Sequence, residues 1–177
     1  KNNVFLVFYS KSYLKISYDI IYYQMQITSK CFKNNDTMPL KHVCNEFGAG
    51  GENISPEFSW KGAPAETKSF ALVCHDPDAP IPHGWYHWFM INIPKNVTQI
   101  PEGGKVDGAK ELVTNFPYAG YGGPAPPVGH GKHRYIFTIY AMNCEQLDIK
   151  ETEPYLIETE IKKHAIANSS ITALYER

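Results

Sequence analysis

The chain has 177 residues, of which 43% are hydrophobic and 20% are charged, an ordinary composition for a globular domain with its own core. Its formal net charge of -1 gives no electrostatic case for a nucleic-acid or membrane-surface partner, and we expect no nucleic-acid partner. Thirteen glycines, thirteen prolines and an aromatic content of 14% favour a β-rich fold with long loops.

The first 24 residues differ from the rest of the chain, since they are rich in Tyr, Ile, Lys, Asn and Ser and do not begin with Met. Their apolar run at residues 4–9 is too short to span a membrane, and it is short for the core of a signal peptide. We therefore expect an atypical leader or extension with no integral membrane segment. An unusual targeting segment is the alternative.

The four cysteines, Cys31, Cys44, Cys74 and Cys144, form no CxxC pair, so neither a zinc knuckle nor a thioredoxin-type motif is indicated. Cys74 lies in an apolar strand pattern, which is typical of a small buried hydrophobic residue. We predict free thiols and a reducing, cytoplasmic location, with two disulfides as the alternative.

Short strand patterns occupy the first part of the domain. They lie at residues 25–29, 42–45 and 58–60, and the first of them alternates apolar and polar side chains. The glycine-rich segment at 48–53 lacks the following helix and the Lys of a phosphate-binding loop. We therefore predict no nucleotide site there.

Two longer apolar runs, at residues 69–75 and 86–93, predict strands joined by a polar turn. The turn contains Asp76, Asp78 and three prolines, which cannot donate hydrogen bonds to a strand ladder, so the first strand must end near residue 75. The two carboxylates therefore lie at a strand end, where loops on a rigid base carry function. His87 opens the second strand and can point back toward them.

The remaining sequence predicts a long loop, a central strand, a helix and a last strand. Residues 100–132 are crowded with Gly and Pro, and a loop this long in a compact domain usually has a functional reason. Residues 135–142 predict the central strand, 152–167 a helix with Pro154 in its first turn, and 170–175 the last strand. Together these elements predict a mostly β fold, an antiparallel β-sandwich with Greek-key crossings and a C-terminal helix.

The polar cluster at residues 133–135, His-Arg-Tyr, opens the later strand as His87 opens the earlier one. We interpret the two strand entrances as meeting in one small pocket. Ring N–H groups of His87 and His133, with backbone N–H groups of Gly122 and Gly123, would then hold a small oxyanion such as phosphate. Carboxylates beside an anion repel it unless a proton is shared or a histidine is protonated. Anion binding should therefore depend on pH near neutrality.

Several motifs, in one order, resemble the phosphatidylethanolamine-binding protein family. They are DPDAP at residues 76–80, GWYHWFMINIP at 84–94, GYGGPAPP at 120–127 and HRYIFTIYAM at 133–142. The sequence is most similar to the bacterial, Raf-kinase-inhibitor-like branch, which NISPEFSW at 53–60 also fits. The motifs together are far more specific than any one of them, because an Asp-Pro-Asp turn alone is common loop chemistry.

The resemblance extends from Met25 to about residue 177, and Met25 is where a member of the bacterial branch would begin. It therefore implies one domain at residues 25–177, with residues 1–24 outside that domain.

The resemblance also implies site residues. In the family, the positions matching Asp76, His87, Gly123, His133 and Tyr135 line the pocket for the phospholipid headgroup. His130 falls outside the match and is not included. The predicted ligand-binding set is Asp76, Trp85, His87, Gly122, Gly123, Pro124, His133 and Tyr135, and its predicted structural support is Asp78, Pro80 and Arg134.

The predicted function is binding of a phosphate-bearing small molecule or lipid headgroup, without catalysis, cofactor or metal. Regulation of a kinase or protease partner, and a homodimer, are further expectations that only the resemblance supports. The pocket motif departs from the eukaryotic pattern, since GWYHWF follows a shortened turn after DPDAP. Lipid preference and kinase binding are therefore less directly implied than a binding pocket.

Two other functions stay open. Two Asp and two His side chains could bind a divalent metal and activate water, which would make the protein a metal-dependent hydrolase. However, no spacing matches HExxH, and no GxSxG nucleophile elbow is present. The other candidate is protein–protein regulation through the rim of the pocket and the loop at 100–132.

Overall fold

A computed structural model describes residues 25–177 and, within the first 24 residues, only the backbone of two short strands. These are β1 (Phe5–Val7) and β2 (Lys15–Ser17), which pair antiparallel with each other. The predicted leader otherwise lies outside the described residues, so its boundary stays a prediction. The other elements are β3 (Gln26–Thr28), a 3-10 turn (Leu40–His42), β4 (Phe58–Lys61), β5 (Ser69–Asp76), β6 (Trp85–Pro94), β7 (Gln99–Ile100), β8 (Lys110–Glu111), β9 (His133–Met142), α1 (Pro154–His164) and β10 (Ala165–Tyr175).

The domain contains a five-stranded sheet in the order β10-β9-β5-β6-β8 and a three-stranded sheet in the order β3-β4-β7. Every strand pairing within these sheets is antiparallel. In the larger sheet β5, β6 and β8 are neighbours, and β9 returns to lie on the far side of β5, which is the Greek-key order. The predicted antiparallel β-sandwich with a helix near the C-terminus is therefore confirmed.

The larger sheet has one apolar core on each face. Between the two sheets, the fully buried Phe137 of β9 contacts Phe58 of β4, with ring centroids 4.7 Å apart. On the opposite face, Ile157 and Ile161 of α1 pack in a second cluster with Phe89 of β6. The strands β5 and β9 are consequently buried on both faces, as their continuous apolar runs predict.

The helix predicted at residues 152–167 is too long, because α1 ends at His164 and Ala165 begins β10. From Ala165 onward the backbone pairs with β9, starting opposite Met142, and this ladder overrides the helical spacing of the apolar residues. Ile166, which the predicted helix would have included, is 39% exposed on the strand. The last strand therefore starts five residues earlier than predicted.

The strand predicted at residues 42–45 is also wrong, since Leu40–His42 form a 3-10 turn. The turn closes with a 3.0 Å hydrogen bond from the Val43 N–H to the Leu40 carbonyl. Val43 and Cys44 are fully buried, so the apolar pattern at this point reflects burial rather than pairing in a sheet.

All four cysteines are free thiols in the structure, and Cys44 and Cys74 are buried. Burial raises the pKa of the Cys74 thiol well above its ordinary value, so this thiol is unreactive. Among the described residues, no helix has the length and apolar character that a membrane crossing would require. The cellular location stays a prediction.

Candidate functional site

The predicted pocket residues come from three strand ends that lie side by side. Asp76 ends β5 opposite Trp85 at the start of β6, and His133 begins β9 on the other flank of β5. These ends open on a cavity of about 300 Å³. Five residues of the predicted ligand-binding set line it, namely Asp76, Trp85, His87, His133 and Tyr135, and so does Pro80 of the predicted support. The rest of the wall is apolar, which is typical of small-molecule sites with few polar groups.

A chain of hydrogen bonds leads from the buried end of the pocket to the surface. Asp76 and His133 are each 2% exposed, and the Oδ2 of Asp76 lies 2.7 Å from the Nδ1 of His133. The other carboxylate oxygen of Asp76 accepts the backbone N–H of Asp78 at 2.9 Å. On the far side of the ring, Nε2 of His133 lies 2.7 Å from Nδ1 of the exposed His130. Asp76 thus fixes the orientation of the His133 ring, and Nε2 of that ring faces the exposed imidazole of His130.

His130 was left out of the predicted site; it does not line the cavity, but its ring contacts that of His133. It lies three residues before His133, and Gly131 between them has a φ of +87°, which bends the backbone and brings the two rings together. The HGKH spacing at the start of a predicted strand was the available signal.

His87 is buried, and its role differs from that of His133. Its Nδ1 lies 2.6 Å from the carbonyl oxygen of Gly122 and therefore donates to it, which leaves Nε2 as a hydrogen-bond acceptor. Burial lowers the pKa of His87 to about 4, although the bond to Gly122 and the charge of Asp76 act in the opposite direction. At neutral pH this imidazole is uncharged and adds no positive charge to the pocket.

Two aromatic residues shape the wall. Trp85 lines the cavity, and its buried indole N–H has no acceptor in the part of the chain that the structure describes. Tyr135 is 1% exposed and stands edge-to-face with His87, with ring centroids 5.1 Å apart. Burial raises the pKa of Tyr135, which keeps the phenol protonated. Both residues therefore offer neutral donors to a ligand.

Asp78 and Arg134 form a bidentate ion pair on the surface beside the pocket. The guanidinium Nε and Nη2 lie 2.8 Å and 2.7 Å from the two carboxylate oxygens, and the backbone N–H of Arg134 also donates to Asp78 at 2.9 Å. These bonds hold the pKa of Asp78 below its ordinary value. The pair joins the turn after β5 to the start of β9 and so fixes the mouth of the cavity.

Gly122, Gly123 and Pro124 are not among the residues that line the cavity. The N–H of Gly122 donates to the carbonyl of His87 at 2.8 Å, and the N–H of Gly123 donates to Oδ1 of Asn53 at 2.7 Å. The Pro124 carbonyl accepts the N–H of Cys44 at 3.1 Å. The backbone N–H groups that were predicted to reach the ligand are therefore bonded within the protein, and the segment holds His87 in place. Its direct contact with a ligand stays a prediction.

Replacing Gly122 by alanine should lower the free energy of unfolding by about 1–3 kcal/mol, as overpacked cores do. A Cβ there would lie 2.2 Å from Cε2 of Phe116, a ring that lines the cavity, so the ring must move. Urea unfolding measures the loss. Gly122→Ala should cost less in a Phe116→Leu background than in the wild-type background, and equal costs would contradict the ring contact as the cause.

Comparison with known proteins assigns the class. The family model for phosphatidylethanolamine-binding protein matches residues 28–176. The chain is 40% identical to YbhB of Escherichia coli strain K12 over 158 residues, covering 85% of this chain and 99% of that protein.

Solved structures agree. The crystal structure of E. coli YbcL, described as a member of the mammalian PEBP family, has a TM-score of 0.83 and 36% identity, covering 87% of this chain and 99% of that chain. A phosphatidylethanolamine-binding protein homologue from Chlamydia trachomatis has a TM-score of 0.75 and 30% identity, covering 87% and 98%. The chain therefore belongs to the phosphatidylethanolamine-binding protein family, as its motifs predict.

Proposed function

We propose that this protein binds a small phosphate-bearing anion, either free or as a phospholipid headgroup, at the cavity between the three strand ends. The observation that carries the proposal is the buried pair of Asp76 and His133, with Nε2 of His133 facing the exposed imidazole of His130. When an imidazole whose Nδ1 is held by a buried carboxylate accepts a second proton, the pair changes from negative to neutral and no longer repels an anion. The added proton on Nε2 then points to an anion oxygen.

Binding in this scheme exchanges one partner of His133 for another. The His130 ring gives up its place at Nε2, and the protonated Nε2 donates to the anion while Nδ1 keeps its bond to Asp76. The neutral His87 contributes Nε2 as an acceptor, which suits the ammonium or hydroxyl group of a headgroup rather than a phosphate oxygen. The apolar wall, including Trp85 and Phe116, leaves room for the carbon atoms between these groups. Phosphoethanolamine should therefore bind more tightly than inorganic phosphate.

Isothermal calorimetry with phosphoethanolamine and phosphate at pH 6 and pH 8 tests the proposal. If binding takes up one proton, both ligands should bind more tightly at pH 6 than at pH 8, by up to about tenfold for each pH unit. Sulfate, which keeps its charge in this range, separates protonation of the protein from that of the ligand.

The variants that complete the test are His133→Ala and, as a matched control, His164→Ala. His164 ends α1, its side chain is 38% exposed, and it is not part of the cavity lining. We expect His133→Ala to abolish saturable binding and His164→Ala to retain it. A folded wild-type protein that binds none of the three anions at either pH would rule out the pocket as proposed.

We further propose that the protein acts by binding rather than by catalysis. The cavity lining includes no Ser, Thr, Cys or Lys among the described residues, so no aliphatic hydroxyl, thiol or amine nucleophile lies beside the histidines there. Asp76 and His133 are bonded to each other rather than pointing at a common vacant position, which disfavours the metal-dependent hydrolase. Stoichiometric metal that is lost in His133→Ala would support the hydrolase instead.

Regulation of a partner protein would use the mouth of the cavity. Phe47 is 66% exposed and Ile81 is 40% exposed, and both line the cavity. Exposed apolar side chains at the rim of a polar pocket are typical of contact surfaces. Whether the partner is a kinase, a protease or a second copy of this chain stays a prediction.

A further inference from the structure

Three potential metal ligands from separate segments meet away from the pocket. Cys31 follows β3, His42 ends the 3-10 turn, and Glu102 follows β7. One ligand atom from each, the cysteine sulfur, a ring nitrogen and a carboxylate oxygen, lies within 4.8 Å of the other two. None of the three residues lines the anion cavity.

His42 is oriented as metal-binding histidines are. Its side chain is 3% exposed, and its Nδ1 lies 2.7 Å from the carbonyl oxygen of Ile54, so Nδ1 carries the hydrogen and donates. The remaining nitrogen, Nε2, is 3.8 Å from Oε1 of Glu102, which is too long for a hydrogen bond. A buried imidazole whose outer nitrogen is fixed by a backbone carbonyl presents its other lone pair to a cation.

The two carboxylate oxygens of Glu102 face different partners, one a lysine and the other His42. Its Oε2 is 2.6 Å from Nζ of Lys41, while Oε1 faces His42. Lys41 therefore fixes the carboxylate without occupying the oxygen that faces the imidazole. This is the arrangement of an outer partner that orients a metal ligand.

We propose that Cys31, His42 and Glu102 form a zinc site. Sulfur, imidazole nitrogen and carboxylate oxygen together suit Zn²⁺, whereas Ca²⁺ and Mg²⁺ take oxygen ligands. Three protein ligands leave the fourth tetrahedral position to water. Cys31 is half-buried and Glu102 is exposed, so both can shift by the small distance that closes the ligands around the ion. On binding, the Cys31 thiol loses its proton to solvent and the sulfur coordinates the metal as thiolate.

The ion would connect the site to the loop behind the anion pocket. The His42 carbonyl accepts the hydroxyl of Tyr121 at 2.7 Å, and Tyr121 immediately precedes the glycine pair that holds His87. Zinc that binds only the folded chain should stabilise it, and at 100 times its dissociation constant the melting temperature should rise by about 5 °C.

The test uses the full chain, stripped with a chelator and titrated with Zn²⁺ in competition with a fluorescent indicator, and with Co²⁺ followed by absorbance. We expect one equivalent of either metal and a thiolate-to-cobalt charge-transfer band. Cys31→Ser should remove the band and weaken Zn²⁺ binding by about 100-fold, and Glu102→Gln should weaken it by about tenfold. Neither substitution touches the buried His42, so both variants should fold, as circular dichroism will verify.

Cys144→Ser is the matched control, because Cys144 is also a half-buried thiol but has no place in the cluster. It should keep the band and the zinc affinity. Three results would overturn the proposal: no stoichiometric metal on the folded wild type, a band that survives Cys31→Ser, or metal lost instead in His133→Ala. The last would place the ion in the anion pocket.

Discussion

Replacing Glu158 by alanine should lower the free energy of unfolding by about 3–5 kcal/mol, because it leaves two buried phenols without an acceptor. The carboxylate of Glu158, on α1, accepts the hydroxyl of Tyr86 at 2.8 Å and that of Tyr140 at 2.9 Å. Both tyrosines are 4% exposed, and Lys162 adds an ion pair at 3.0 Å. The Glu158 side chain therefore connects α1 by hydrogen bonds to β6 and β9 of the larger sheet. Chemical denaturation measures the loss.

Glu160 on the same helix is the matched control. Its carboxylate pairs with Lys163 and His164 at the solvent-facing side, where water screens the charges, so Glu160→Ala should cost far less than Glu158→Ala. In a background with Tyr86→Phe and Tyr140→Phe, removal of Glu158 should cost much less than in the wild type. An undiminished cost there would show that the phenol bonds are not the source of the stability.

The contribution of Glu158 should depend on pH with a definite sign. Burial alone would raise its pKa, but the bonds from Tyr86, Lys162 and Tyr140 together lower it below the ordinary value of 4.5. A lowered pKa in the folded state means that the charged form stabilises the fold above pH 4.5 and that this stability is lost as the pH falls through the folded-state pKa. The difference in stability between wild type and Glu158→Ala should accordingly shrink under acid conditions.

Phe137→Ala should cost about 3–5 kcal/mol, the usual range for removing a buried phenylalanine. Phe137 is 0% exposed and lies where the two sheets meet. Its ring centroid is 4.7 Å from that of Phe58 and 5.9 Å from that of Phe32, so the truncation leaves a cavity that neither sheet can close alone. Urea unfolding with an unchanged m-value would identify a pure loss of stability.

Ile136→Ala serves as the comparison, since Ile136 is adjacent on β9 but points to the other face and is only half-buried. It should cost about 1–2 kcal/mol, well below Phe137→Ala. Equal losses for the two variants would contradict the view that the contact between the sheets dominates the stability of β9.

Elements with a strong local pattern were predictable from the sequence. The runs before Asp76 and after His133 are long, apolar and bounded by prolines or glycines, so the strands β5 and β9 followed from the pattern. The boundary of α1 did not, because residues from Ala165 onward have helical spacing and only the pairing with β9 makes them a strand. The strand predicted at residues 42–45 is wrong because Val43 and Cys44 are apolar through burial next to a 3-10 turn, and burial alone produces a strand-like apolar run.

For the site, the sequence identified residue types better than bonding partners. The pattern brought Asp76, His87 and His133 together, and the structure lines the cavity with all three. It could not show that the N–H groups of Gly122 and Gly123 are already satisfied, because their acceptors, His87 and Asn53, are 35 and 70 residues away. Such long-range bonds leave no local spacing to detect. The same holds for the cluster of Cys31, His42 and Glu102.

The Greek-key return of β9 determines when the proposed binding site forms during folding. Asp76 and His133 are separated by 57 residues, and their contact forms only when the long loop has crossed from β8 to bring β9 beside β5. Closing so long a loop has an entropic cost, and no local contact compensates for it before the loop closes. We therefore expect the pairing of β9 with β5 to form slowly. A chain that has formed only the hairpin of β5 and β6 holds half of the proposed anion site, and we expect it to have no affinity for an anion. If the proposed site binds, ligand affinity should therefore appear only when β9 has joined the sheet.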